Sequence, residues 1–201
     1  MNDENAAVRQ AQVHRKTRET EIRLSLVVDG SGKASVGTGV GFLDHMLVSL
    51  ARHARFDLAL SAKGDLAVDD HHTTEDCAIA IGSAIDQILG DRRGITRFGH
   101  AYAPLDEALA RAVVDLSGRP WAEVHLTLHR ASIGDLACEN IAHFFRSLAT
   151  TGRFALHIDV LRGDNDHHKA EAAFKACALA LRQALARDGS GEVPSTKGVL
   201  G

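Results

Sequence analysis

Apolar residues recur along this chain with two different periods, and each period occurs in both halves of the sequence. Ile22, Leu24, Leu26 and Val28 fall on every second position, the rhythm of a half-buried strand. Asp29-Gly30-Ser31-Gly32 reads as a turn, and a returning strand is expected from Lys33 to Gly37. Leu43, Met46, Leu47 and Leu50 take up helical spacing across Leu43 to His53, and Phe56 to Ala62 alternates again. From His72 to Leu89, the residues Ile79, Ile81, Ile85, Ile88 and Leu89 give a broad apolar helix, closed by Gly90. The second half repeats the order: strands at Ala108 to Asp115 and Ala122 to Leu128, then a helix from Ile141 to Thr150. A strand from Ala155 to Leu161 and a helix from His168 to Ala186 follow, and Gly189-Ser190-Gly191 opens an irregular tail.

The agreement extends to residue identity. Shifting Phe42 to Leu60 by 98 positions brings His45 onto His143, Ser49 onto Ser147, Leu50 onto Leu148 and Phe56 onto Phe154. Val27-Val28-Asp29-Gly30-Ser31-Gly32 matches Val113-Val114-Asp115-Leu116-Ser117-Gly118 at a shift of 86. Drifting offsets with preserved order are what loop-length changes in a duplicated unit produce. The expected fold is therefore α+β: a two-layer α/β sandwich built by internal duplication of a β-β-α-β-α unit. One domain is expected over residues 14–201, with halves at about 14–92 and 93–187 and a C-terminal tail at 188–201. Residues 1–13, rich in polar side chains, are expected to be a flexible tail.

Composition narrows the function classes. The chain has 201 residues, 45% hydrophobic and 24% charged, with a net charge of -3, so no basic field invites nucleic acid. Aromatic residues make up 4% and form no stacking row with basic ones. Cys77, Cys138 and Cys177 are odd in number and lack C-x-x-C spacing, which suits buried thiols in a reducing compartment. Residues 1–16 contain no apolar signal core and no run approaches 18 apolar residues, so a cytoplasmic protein without a membrane partner is expected.

The chemistry is concentrated in a motif that occurs twice, His71-His72-Thr73-Thr74-Glu75 and His167-His168-Lys169-Ala170-Glu171. On a helix the first histidine and the glutamate share a face, whereas adjacent histidines lie about 100° apart and cannot readily grip one ion. Each motif should thus divide its ligands between two metals. His45 and His143, at matching places on the shorter helices, complete a set of eight: His45, His71, His72, Glu75, His143, His167, His168 and Glu171. Three histidines and one carboxylate per ion leave open positions on an octahedral metal where substrate can bind. Two rival readings share these residues: a metal-storage protein without catalysis, and a dinuclear metallohydrolase.

Several segments resemble the imidazoleglycerol-phosphate dehydratase family. They are Arg15-Lys16-Thr17-Arg18-Glu19-Thr20, Gly39-Val40-Gly41-Phe42-Leu43-Asp44-His45-Met46-Leu47, Asp70 to Asp76, Pro104 to Ala108, Asp115 to Pro120 and Pro194 to Leu200. Val48-Ser49 stands where the family often has an Asp-Gln pair. The resemblance implies halves like the second domain of ribosomal protein S5, and the stand-alone, monofunctional form of the enzyme. It implies dehydration of D-erythro-imidazoleglycerol phosphate to imidazole-acetol phosphate, through a metal-bound imidazolate and a diazafulvene-like intermediate. Two Mn(2+) per active site and a homo-oligomer of about 24 chains, with active sites at interfaces, are implied as well. By the same resemblance Glu19 is the acid/base. Asp106 is a candidate for a proton shuttle or for orienting a ligand histidine, and His53 for contacting a substrate hydroxyl. Arg97, Arg119, Lys175, Ser195 and Lys197 match phosphate-binding positions.

Overall fold

In the computed structural model of the protein, residues 7–200 are described. The first half runs β1 (Gln10–Lys16), β2 (Thr20–Val27), β3 (Ala34–Gly37), α1 (Gly41–Ala54), β4 (Asp57–Gly64) and α2 (His71–Leu89). The second runs β5 (Phe98–Leu105), β6 (Ala108–Asp115), β7 (Trp121–His125), a short β8 (Ser132–Ile133) and β9 (Leu136–Ala137) pair, α3 (Cys138–Gly152), β10 (Ala155–Arg162) and α4 (Asp166–Ala184). The two four-stranded sheets have matching orders, β1-β2-β4-β3 and β5-β6-β10-β7. In each, the central pair is antiparallel, and the last strand of the order joins in parallel. The duplication reaches the helix ends: α1 and α3 both close on a left-handed arginine, Arg55 (φ 60) and Arg153 (φ 52), whose N–H caps the last turn.

Ile22, Leu24 and Leu26 of β2 and Leu58 and Leu60 of β4 bury one face of the first sheet under α1 and α2. Ala110, Ala112, Val114, Leu156 and Ile158 do the same for the second, and α2 packs on α3 and α1 on α4, so one hydrophobic core spans both halves. The α2–α3 approach is close enough that a Cβ at Gly82 would lie 2.6 Å from the Leu148 carbonyl oxygen. All three cysteines are buried and free; burial pushes the Cys177 thiol up to about 12. No helix among the described residues is long and apolar enough to cross a membrane.

Three sequence expectations need correction. Residues 1–6 lie outside the described residues, but Gln10 to Val13, expected in the flexible tail, belong to a full edge strand paired with β2. Its inward positions are only half-buried, among them Ala11, Val13 and Arg15, so its hydrophobic alternation is faint. β5 escaped for a related reason. Its inward residues Gly99, Ala101 and Ala103 are small while Phe98 and Tyr102 face outward, which inverts the visible pattern. Gly99 is small because α4 lies against it: a Cβ there would meet the Ala180 carbonyl oxygen at 2.0 Å. Finally, β3 does not return along β2. It crosses over through α1 to pair in parallel with β4, which sits between them.

Candidate metal and substrate site

Two groups of three side chains bring one donor atom each to within 4.8 Å of one another. The first holds His71 and Glu75 from the start of α2 and His143 from α3; the second holds His167 and Glu171 from α4 and His45 from α1. The i,i+4 spacing puts the motif's first histidine and its glutamate on one helical face, as the sequence requires, and the helix from the other half supplies the third donor. Neither group is complete without both halves.

In the His71 group, His143 Nε2 lies 2.9 Å from Glu75 Oε1. Asn140 Nδ2 donates to Asp70 Oδ2 at 2.9 Å, which turns Asn140 Oδ1 toward His71. That oxygen accepts from His71 Nδ1 at 2.8 Å and leaves Nε2 with its lone pair. In the His167 group, Glu171 Oε2 lies 3.1 Å from His45 Nε2 and 3.3 Å from His167 Nε2. Lys175 Nζ donates to the other carboxylate oxygen at 2.8 Å. Burial pushes the Glu171 carboxyl up, but Lys175 and His45 together hold it below its ordinary value.

His72 and His168 stand apart from both groups. Their rings are turned 76° and 87° from those of His71 and His167. Asp65 accepts from His72 Nδ1 at 3.1 Å, and Glu107 accepts from His168 Nδ1 at 2.7 Å; each bond raises the imidazole pKa. Each Nε2 is left outward, 3.8 Å from Glu19 Oε2 in one half and 3.8 Å from Asp106 Oδ2 in the other. The sequence placed the histidines but missed their orienting partners Asp65, Asn140 and Glu107. Of the two roles considered for Asp106, the orienting one is taken by its neighbour Glu107, which also accepts from the N–H groups of Asp164 and Asn165. With Asn165 as the leading cause, Glu107 is held down to about 2. Only the adjacency of two carboxylates in the β5–β6 turn hinted at this division.

The phosphate candidates separate into two places. Arg97, Arg119, Ser195 and Lys197 line one cavity of about 280 Å³ with Thr196, Val199 and Leu200. Arg97 joins the tail to the sheet: it pairs with Asp115 at 2.7 Å and donates to the Pro194 carbonyl at 2.7 Å. Lys175 is instead in the His167 group. His53, in the last turn of α1, lies near it; burial and the Lys175 charge depress its imidazole.

Two His₂Glu groups with further histidines held nearby offer nitrogen and oxygen donors of the kind that suit Mn, Fe, Ni or Zn. The family model described as imidazoleglycerol-phosphate dehydratase matches residues 38–181. An imidazoleglycerol-phosphate dehydratase of Phytophthora nicotianae is 58% identical over 97% of this chain, which spans 43% of that protein's length. The Zymomonas mobilis enzyme of the same name is 52% identical over 94% of this chain and 98% of its own. The crystal structure of the Staphylococcus aureus dehydratase superimposes with a TM-score of 0.80 at 38% identity, covering 89% of this chain and 99% of that one. The chain belongs to the imidazoleglycerol-phosphate dehydratase family, a family of hydro-lyases of histidine biosynthesis.

Proposed function

We propose that this chain dehydrates D-erythro-imidazoleglycerol phosphate to imidazole-acetol phosphate in the cytoplasm, using two Mn(2+) ions per active site. The observation that carries this reading is the pairing of two like donor groups, His71/Glu75/His143 and His45/His167/Glu171, in one duplicated chain. Bound there, two metal ions would act as Lewis acids toward the two ring nitrogens of an imidazole, the only electron sink next to the carbons that react. Mn(2+) suits this mixture of imidazole and carboxylate ligands with open positions.

The residues of the chain do the remaining work. Glu19, on the β1–β2 turn, protonates the ring-side hydroxyl so that it leaves as water, and takes the proton from the neighbouring carbon that keeps its hydroxyl. It then returns a proton to the ring-side carbon as the enol gives up its O–H proton and becomes a ketone. Asp106, at the same 3.8 Å from the second histidine of its half, assists as a proton relay. His53 contacts a substrate hydroxyl. Arg97, Arg119, Ser195 and Lys197 hold the phosphate, and the tail folded on Arg97 covers it.

Lys175, fixed on Glu171, reaches the phosphate only if substrate lies between surfaces that one chain does not bring together. The same conclusion follows from His72 and His168. Each has an oriented ring and an outward Nε2 outside its own chain's donor groups, so each fits as the third histidine of a site on a neighbouring copy. A homo-oligomer with interface active sites, a closed assembly of about 24 chains, satisfies both requirements. The test is turnover of imidazoleglycerol phosphate by chelator-stripped protein before and after Mn(2+) is restored. Recovery with metal is the expected result. A folded, metal-loaded protein that leaves the substrate untouched would exclude the assignment.

A further inference from the structure

The two tight turns beside the site are held in place by different means. The β1–β2 turn has Arg18 and Glu19 at its tip, flanked by Thr17 and Thr20, whose N–H and carbonyl pair at 2.9 Å. The β5–β6 turn has Asp106 and Glu107 at its tip, flanked by Leu105 and Ala108. Counted from these tips, Thr20 corresponds to Ala108 and Arg15 to Ala103; across the His-His-x-x-Glu repeat, Asp76 corresponds to Ala172. In the first half these residues form a polar knot around the buried Asp76 and Thr20, with Arg15 half-buried at its edge. Asp76 accepts from Arg15 Nε at 2.8 Å with one oxygen and from Thr20 Oγ1 with the other. Asp76 is 5% exposed and Thr20 4%. In the second half the same positions are three buried alanines.

Taking a carboxylate out of water is unfavourable before its attraction to a half-exposed guanidinium is counted. The second half shows that alanines at these positions support the same sheet-on-helix packing, so the fold does not demand the knot. The turns differ in what their carboxylates are doing. Glu107 fastens its own turn by accepting from Asp164 N, Asn165 N and His168 Nδ1. Among the described residues the Glu19 carboxylate has no hydrogen bond; its nearest charged partner is His72 Nε2 at 3.8 Å. A carboxylate kept free for proton transfer cannot also anchor its turn, so that turn needs another fastening. We propose that Arg15, Thr20 and Asp76 are positioning residues that pin the β1–β2 turn to α2 and thereby hold Glu19 against His72. Thr17 extends the chain of contacts: its Oγ1 accepts from Glu19 N at 3.1 Å and Thr20 N at 3.0 Å, and lies 3.4 Å from Thr20 Oγ1.

The inference rests on Glu19 as the proton-transfer group, and the experiment separates the two. Turnover by Mn(2+)-loaded enzyme is compared for Arg15→Ala/Thr20→Ala/Asp76→Ala, Thr20→Val, Thr20→Ser, Glu19→Gln, and Glu19→Gln combined with Thr20→Val. Misplacing a catalytic group by an ångström lowers kcat about 100-fold, so a fall of roughly 10- to 100-fold is expected for the triple variant and Thr20→Val, with KM within about twofold. Thr20→Ser should restore turnover, and adding Thr20→Val to Glu19→Gln should lower kcat no further. In metal-free protein, amide exchange at Glu19 and Thr20 should accelerate in Thr20→Val. Full turnover in a folded triple variant, or independent losses in the combined variant, overturns the proposal. If the triple variant does not fold, Thr20→Val decides by the same readouts. Normal turnover of Glu19→Gln removes Glu19 as acid/base, and unchanged amide exchange in Thr20→Val then also removes the knot as the turn's fastening.

Discussion

The two donor groups share ligand types and differ in what steadies them. Asn140 and Phe42 occupy equivalent positions, 98 residues apart, beside His71 and His167. Asn140 steadies His71 with a hydrogen bond to Nδ1 at 2.8 Å, whereas Phe42 packs its ring edge-on to His167 with centroids 5.0 Å apart. Lys175 sits on the carboxylate of the His167 group alone. Duplication has thus kept the atoms that can face a cation while the atoms behind them diverged. A hydrogen bond fixes the tautomer and raises ligand basicity, while packing fixes only the ring plane. Equal donors with unequal support imply unequal metal affinity, with the His71 group the tighter.

The largest effects should come from the ligands. His143→Ala and His45→Ala should each cut bound metal from two equivalents to one and lower turnover at least about 100-fold, beyond the 10- to 100-fold typical of orienting partners. Metal analysis of the purified variants checks this, and full metal content in His45→Ala would remove the second group as a site. Next, Asn140→Leu should weaken metal binding about 10- to 100-fold. Phe42→Leu should change metal affinity by less than about threefold and instead cost roughly 1 kcal/mol of stability through lost packing. Equal losses of affinity in a metal titration would end the contrast between polar and packed support. A smaller effect is expected of Lys175→Met. With its cationic partner gone, Glu171 should hold metal severalfold more tightly at neutral pH, while KM for the phosphorylated substrate rises. Unchanged KM would free Lys175 from any substrate role.

Much of this was legible in the sequence because the apolar period is strongest where an element buries one full face. β2, β4, α1 and α2 and their counterparts β6, β10, α3 and α4 all have such faces, and their ends were placed within a few residues. β1 and β5 lacked that signal, one for want of deeply buried residues and the other because its large side chains face outward. The site divides the same way. Candidate ligand histidines announce themselves by residue type and spacing, and the 98-residue repeat finds His45 and His143 although neither lies in a His-His-x-x-Glu motif. Asp65, Glu107 and Asn140 are ordinary polar residues whose role appears only when a loop or the opposite half brings them to a ring nitrogen. The crossover of β3 was invisible because a Gly-rich turn says that the chain reverses, not which strand it will join.

That Gly-rich turn also yields the smallest effect, and it bears on how the halves divided their tasks. Asp57 Oδ1 accepts from Ser31 N at 2.8 Å, Lys33 N at 3.0 Å and Ser31 Oγ at 3.1 Å, which binds the β2–β3 loop to the start of β4. These bonds, that from Lys33 N foremost, hold the Asp57 carboxyl below its ordinary value. Gly30 is needed for the approach, since a Cβ there would lie 2.5 Å from Asp57 N. The equivalent of Asp57 in the second half is Ala155, and the β6–β7 loop left without this fastening is the one that supplies Arg119 to the phosphate cavity. A carboxylate whose folded pKa is depressed contributes stability above its unfolded value, near 3.9, and loses it as pH falls through the lower folded value. Asp57→Ala should therefore cost about 1 kcal/mol at neutral pH, the size of an exposed hydrogen-bonded group, and progressively less below about pH 4. Turnover should be unaffected, because the loop it frees carries no proposed site residue. Chemical denaturation at pH 7 and pH 3 checks the sign. A stability loss that persists undiminished in acid would mean the loop is held by shape rather than by charge, and the contrast with Ala155 would then say nothing about why the other loop was left open for substrate.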